Sequence, residues 1–123
     1  MPKSSKPIIT ICGSRSITYL NLDFYLDPKD YGEVVTGGAA GVDTLAEKWA
    51  KKNNLEWICF LPQYEIYGGK YAPLKRDEDM VNYSDKLIAF WDGKSSGTKY
   101  TIDYALSLGR KVTLHLIEDL DVI

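Results

Sequence analysis

The sequence predicts an α/β protein: a Rossmann-like, doubly wound, open parallel sheet of about five strands in a single domain. Three observations lead there. Short apolar, often β-branched runs alternate with helical patterns along the chain. The runs are continuously apolar, as strands are when helices cover both faces of a sheet. The length, 123 residues, suits one core and not two. Right-handed crossovers then set the strands parallel. Residues 1–6 read as a loose, flexible tail and residues 7–123 as the domain.

Each element has its own signal. Ile8-Ile9-Thr10-Ile11-Cys12, ended by Gly13, is the first strand. A modest helix is expected over about Thr18–Leu26, capped by Thr18 and stopped by Pro28. Glu33-Val34-Val35-Thr36 is the second strand, closed by Gly37-Gly38. After Gly41, the residues Val42, Leu45, Ala46, Trp49 and Ala50 form one helical stripe. Asp43 and Glu47 lie toward the positive end of that helix and Lys51 and Lys52 toward the negative end. Trp57-Ile58-Cys59-Phe60-Leu61 is the third strand, halted by Pro62. Residues 62–73, with Tyr64, Tyr67, Gly68-Gly69, Tyr71 and Pro73, read as the longest irregular segment, and a short helix follows over about Leu74–Tyr83. Leu87–Trp91 is the fourth strand. Ile102, Ala105 and Leu106 share one face of the next helix, which Gly109 ends, and Val112–Leu116 is the fifth strand.

Composition excludes several classes. Fifteen basic residues face seventeen acidic ones, a net of -2, whereas proteins that grip nucleic acid through its phosphates usually carry a basic surplus. Cys12 and Cys59 sit inside apolar runs, which reads as two reduced, buried thiols in a cytoplasmic protein. One histidine and two cysteines make a poor zinc set. No run approaches the ~20 apolar residues of a membrane span, and the first residues lack the apolar core of a secretory signal. No membrane partner, metal or required cofactor is expected, although a bound nucleotide fits.

In a doubly wound sheet, ligands bind beyond the carboxyl ends of the strands, where the strand order reverses. Three strands end there in small-residue turns that enter helices: Gly13-Ser14-Arg15-Ser16, Thr36-Gly37-Gly38-Ala39-Ala40-Gly41-Val42-Asp43 and Gly93-Lys94-Ser95-Ser96-Gly97-Thr98. Each presents backbone N–H groups at a helix start, which suits an anion, and glycine lets a phosphate approach the backbone. Arg15 and Lys94 supply opposing charge, and the hydroxyls of Ser14, Ser95 and Thr98 supply donors. One such turn is usually only a turn. Three at one sheet edge, two of them with cations, point to a phosphate-bearing ligand.

Two familiar motifs do not fit. Gly93-Lys94-Ser95 has the tail of a Walker A loop, but the glycine that should precede it falls at Ile88, inside a strand. Thr36-x-Gly38-x-x-Gly41 lacks the first glycine of a dinucleotide fingerprint, follows the second strand, and meets Leu61-Pro62-Gln63 where an acidic ribose partner belongs. NTP-driven motors and conventional NAD dehydrogenases are thereby set aside.

Several ordered blocks carry a family resemblance: Gly13-Ser14-Arg15; Gly37-Gly38-Ala39-x-Gly41-Val42-Asp43-Thr44-Leu45-Ala46; Tyr67-Gly68 with Ala72-Pro73-Leu74-Lys75-Arg76; and Ala89-Phe90-Trp91-Asp92-Gly93-Lys94-Ser95-x-Gly97-Thr98. Over about residues 8–114 the chain resembles the SLOG superfamily, which joins DprA, the Lonely Guy enzymes, the YpsA group and small stand-alone relatives common in bacteria and phages. The resemblance implies a Rossmann-like sheet that binds nucleotides or nucleotide-derived signals, in proteins that often self-associate. Two departures matter. Asp77 stands where the small relatives usually carry asparagine. Thr101 stands where the Lonely Guy motif Gly-Gly-x-Gly-Thr-x-x-Glu places its catalytic glutamate, and Asp103 lies about 200° around the helix from that slot.

The candidate ligand residues are therefore Gly13, Ser14, Arg15, Gly37, Gly38, Gly41, Asp43, Tyr67, Arg76, Asp92, Lys94, Ser95, Gly97 and Thr98. Asp43 serves either as a helix-start acid or as a ribose partner; Arg76 is a solvated charge or a phosphate or bracing group; Tyr64, Tyr67 and Tyr71 either pin the loop or offer a ring to stack on a base, with Tyr67 the preferred candidate. His115 and Trp91 read as structural. The leading expectation is a module that captures a nucleotide or ADP-ribose-like molecule as a sensor or by sequestering it. The alternative is a nucleotide N-glycosidase or phosphoribohydrolase-like enzyme using Asp43, Asp77 or Asp92. Single-stranded DNA binding is a third reading, opposed by the charge balance.

Overall fold

Ile9 and Ile11 point to one side of the first strand and Thr10 and Cys12 to the other, and all four are buried. A strand buried on both faces belongs inside a sheet, and β1 (Ile8–Gly13) is the central strand. The computed structural model describes residues 6–118; apart from Lys6, the tail expected over residues 1–6 lies outside them. Around β1 lie β2 (Glu33–Thr36), β3 (Glu56–Cys59), β4 (Lys86–Trp91) and β5 (Lys111–Leu116). All pairs are parallel and the order is β3-β2-β1-β4-β5. Strand order reverses between β1 and β4, which makes their carboxyl ends the switch point of the sheet.

Helix α1 (Val42–Lys52) covers one face, burying Val42, Ala46, Trp49 and Ala50 against Ile9, Ile11, Val34, Ile88 and Phe90. Helices α2 (Tyr64–Tyr83) and α3 (Ser96–Ser107) cover the other, where Val81, Ile102 and Ala105 meet Cys12, Leu87 and Ala89. Thr10 is the polar exception on that face. Its hydroxyl pairs with that of Ser84 at 2.8 Å and bonds the Met80 carbonyl at 3.2 Å, so its burial leaves no orphaned group.

The sequence reading needs four corrections. Residues 18–26 form no helix; two 3-10 turns, Leu22–Phe24 and Pro28–Asp30, stand there. Asn21 and Asp27 accept the N–H groups of Asp23 and Lys29 at 3.2 and 2.9 Å, and such local side-chain bonds compete with a longer helix. Pro28 opens the second turn instead of ending a helix. Residues 62–73 are mostly helical, because α2 starts at Tyr64 and is interrupted only at Gly68, where φ is 80° and ψ 172°. The break comes one turn before Pro73, which removes one backbone hydrogen bond and crowds the preceding carbonyl. The edge strands are less covered than continuous apolar runs imply: Ile58, Leu114 and Leu116 are exposed, as is Leu106. Cys59 is only partly buried, although both cysteines are free thiols.

Candidate functional site

The ends of β1 and β4 are laced together by the residues that follow them. A Cβ on Gly13 would lie 2.4 Å from the Phe90 carbonyl oxygen and 2.5 Å from a Val42 methyl, so only glycine lets β1, β4 and α1 meet here. Ser14 donates its N–H to Phe90 O at 3.0 Å, and its hydroxyl accepts the Asp92 N–H at 3.0 Å. Gly41, with φ 77°, opens α1 directly against the Arg15 backbone.

These turns enclose a cleft of about 660 Å³. Of the residues expected from sequence, it gathers Gly13, Arg15, Gly37, Gly38, Asp43 and Arg76 with Asp77, Asp92, Ser95, Gly97 and Thr98. Four fall elsewhere. Ser14 is buried as a brace. Gly41 packs under Arg15. Lys94 is exposed and does not line the cleft. Tyr67 lines a second hollow of about 290 Å³ between β3 and α2, its ring edge-on to Tyr71 at 5.8 Å. The cleft also includes Cys12, Pro62 and Thr101, which the sequence did not single out as ligand residues, and Tyr64, which it ranked behind Tyr67 as a stacking ring. Trp91 donates its indole N–H to Ser95 O at 2.9 Å, and the His115 ring stacks on Phe90 with centroids 5.1 Å apart.

The turns are not equally open to an anion. Asp92 accepts the N–H groups of Lys94 and Ser95 at 2.8 Å each and the Ser16 hydroxyl at 2.7 Å. Burial pushes its carboxyl up, but these donors together outweigh that and hold it at about 2. In the second turn, Asp43 accepts the Ala39 N–H at 3.2 Å. Burial dominates there and lifts Asp43 to about 6, with Asp77 adding to the rise while the Ala39 and Gly37 amides and Arg76 oppose it. The chain's own carboxylates thus occupy donors in two of the three turns.

Within the third turn Asp92 takes only the Lys94 and Ser95 N–H groups and leaves the start of α3 beyond them. Ser95 provides no side-chain cap, so the first N–H groups, on Ser96, Gly97 and Thr98, are the orphan donors of a helix N-terminus. They share the cleft with Arg15, which is exposed and forms no ion pair among the described residues. Deeper in, Arg76 pairs through Nε with Asp77 at 2.6 Å, and its guanidinium also donates to the Gly37 carbonyl. Asp77 receives the Thr101 hydroxyl at 2.6 Å. Burial raises Asp77, against the pull of Arg76 and Thr101. The residue in the slot where the resemblance expected a glutamate therefore supports a carboxylate contributed by α2. Burial, with Asp77 and Asp43, raises the Cys12 thiol well above its usual range, which makes it a poor nucleophile.

A cleft of this kind at the β1/β4 switch point of a β3-β2-β1-β4-β5 parallel sheet defines a Rossmann-like α/β fold. The solved structure of DNA processing protein A (DprA) from Streptococcus pneumoniae is similar, with a TM-score of 0.69 at 16% identity over 94% of this chain and 52% of that one. The chain spans about half the length of that DprA, and the likeness is one of fold. By sequence, the chain belongs to the family of the Gene 61 protein of Mycobacterium phage D29, with which it is 33% identical over 85 residues, 64% of this chain and 68% of that protein. No protein-family model matches the sequence. Among the described residues, no helix is long and apolar enough to cross a membrane, and no group of three or more His, Cys, Asp or Glu is placed to hold a metal ion.

Proposed function

We propose that this chain binds a phosphorylated nucleoside or an ADP-ribose-like relative in the switch-point cleft and acts as a sensor or sequestering module. One observation carries the reading: the uncapped start of α3 opens into a 660 Å³ cleft that it shares with Arg15. The phosphate sits on the N–H groups of Ser96, Gly97 and Thr98, with Arg15 as counter-ion. Asp43, at the buried side of the same cleft, accepts a hydroxyl of the sugar, and Arg76 braces the Gly37 turn. Gly13, Gly37 and Gly38 hold the turns together around the cleft, since a Cβ would collide with Phe90 and Val42, with Arg76 and Asp43, and with Cys59 and Leu61 respectively. Titration calorimetry against nucleoside mono- and diphosphates and ADP-ribose tests this. Micromolar binding that weakens at least tenfold in Arg15→Ala is the expected outcome, and a panel with no binder overturns it.

A second reading is supported by Asp43, buried, and Asp77, partly buried, two carboxylates with raised pKa values in one cleft. Asp43, at about 6, is suited to general acid–base work on a glycosidic bond. Release of free base from nucleoside monophosphates, lost in Asp43→Asn, would place this reading first.

A further inference from the structure

The start of α2 is little packed against the rest of the domain. Every residue from 63 to 71 is exposed. Tyr64 and Ile66 are 55% and 67% exposed although both are large and apolar. The turn itself is well formed, since the N–H groups of Ile66 and Tyr67 both bond Gln63 O at 3.1 Å. It is then cut from the rest of α2 by Gly68, whose φ of 80° and ψ of 172° fall in a region essentially confined to glycine. A Cβ at Gly68 or Gly69 would meet nothing within 4 Å, so no neighbour demands a small residue at either position. What Gly68 provides is a swivel between a one-turn helix and the packed body of α2.

The two tyrosines of this turn, both ahead of the break, differ in what they touch. Tyr67 packs on Tyr71, whose hydroxyl bonds Glu78, and it lines the second hollow. Tyr64 makes no ring contact or hydrogen bond among the described residues, yet it lines the main cleft. An exposed aromatic ring at a site that accepts phosphates, carried on a hinged turn, suits stacking on a flat ring.

Resting on the phosphorylated-nucleoside reading above, we infer that the Gln63–Tyr67 turn is a lid that swings on Gly68-Gly69 and closes Tyr64 over the nucleobase of the bound ligand. Tyr64, and not Tyr67, is the residue that distinguishes a nucleotide from a bare sugar phosphate.

The test compares ribose 5-phosphate with the four common nucleoside 5′-monophosphates by calorimetry on the wild-type chain and on Tyr64→Ala, Tyr64→Phe and Tyr67→Ala. At least one nucleotide should bind roughly tenfold more tightly than ribose 5-phosphate. Tyr64→Ala should abolish that preference while leaving the ribose 5-phosphate affinity unchanged, and Tyr64→Phe and Tyr67→Ala should keep it. Hydrogen exchange over residues 63–69 should slow with the preferred nucleotide and not with ribose 5-phosphate. Equal binding of sugar phosphate and nucleotides, or a preference that survives Tyr64→Ala, overturns the lid and leaves the phosphate site standing. Absence of binding by every probe overturns both.

Discussion

Replacing Asp43 with asparagine probes the buried side of the cleft through folding stability alone. Asp43 is 5% exposed, and burial lifts its carboxyl from 3.8 to about 6. In the unfolded chain the group titrates near 3.8, so between there and about 6 the folded protein holds a proton that the unfolded chain releases. Its contribution to stability is therefore greatest below about pH 4 and is lost as pH rises through 6, the reverse of a salt-bridged carboxylate. At about 1.4 kcal/mol per pH unit, burying the ionised form costs about 3 kcal/mol more than burying the protonated one. Asparagine keeps the shape and an oxygen that can accept the Ala39 N–H, but carries no charge. Urea unfolding of both proteins at about pH 4 and about pH 7.5 checks this. Relative to the wild type, the variant should gain about 2.5 kcal/mol on going from the acid to the neutral condition, part of the full difference being already lost at pH 4. A stability difference that stays the same at both pH values refutes the argument.

Three further outcomes follow from the same geometry. Gly41→Ala should destabilise by about 3 kcal/mol or more, because the position combines φ 77° with a Cβ 2.7 Å from Arg15 backbone atoms, whereas Gly97→Ala, with open space around it, should shift stability by less than about 1 kcal/mol and weaken phosphate binding; thermal unfolding and calorimetry separate the two effects. Arg76→Met should cost about 3–5 kcal/mol by leaving the mostly buried Asp77 without its counter-charge, and the double variant with Asp77→Leu should recover part of the loss in urea unfolding. Thr101→Val should cost about 1–3 kcal/mol at neutral pH, since it removes the hydroxyl that Asp77 accepts at 2.6 Å.

The sheet and its order of elements were legible because strand signals are local. β1, β2 and β4 are short apolar runs ended by glycine or aspartate, and α1 carries an unbroken stripe from Val42 to Ala50. The segment over 18–26 misled because apolar spacing says nothing about Asn21 and Asp27, whose side chains bond the next backbone N–H groups and favour short turns. Residues 62–73 misled in the opposite sense: tyrosines, glycines and a proline look irregular, but the conflict is concentrated at Gly68 and leaves helix on both sides. At the site, the turns come together as their place at the strand ends requires. Which backbone N–H groups are left for an anion was not legible, because that depends on where Asp43 and Asp92 direct their oxygens. Thr101 was read only as the absence of an acid. Its partner, Asp77, lies 24 residues away on another helix, and no local pattern links them. Among Tyr64, Tyr67 and Tyr71 the sequence favours Tyr67, whereas Tyr64 lines the main cleft and Tyr67 the second hollow; the direction of each ring within one turn is not set by spacing.

The account stands on the start of α3 as the place where a phosphate rests. A titration of the isotopically labelled protein with ribose 5-phosphate, followed through backbone amide resonances, addresses it directly. The N–H signals of Ser96, Gly97 and Thr98 should move most, with Arg15 following, while those of Ala39 and Lys94, already bonded to Asp43 and Asp92, should move least. Largest shifts at Ala39 and Lys94, or a spectrum that does not change, would contradict it.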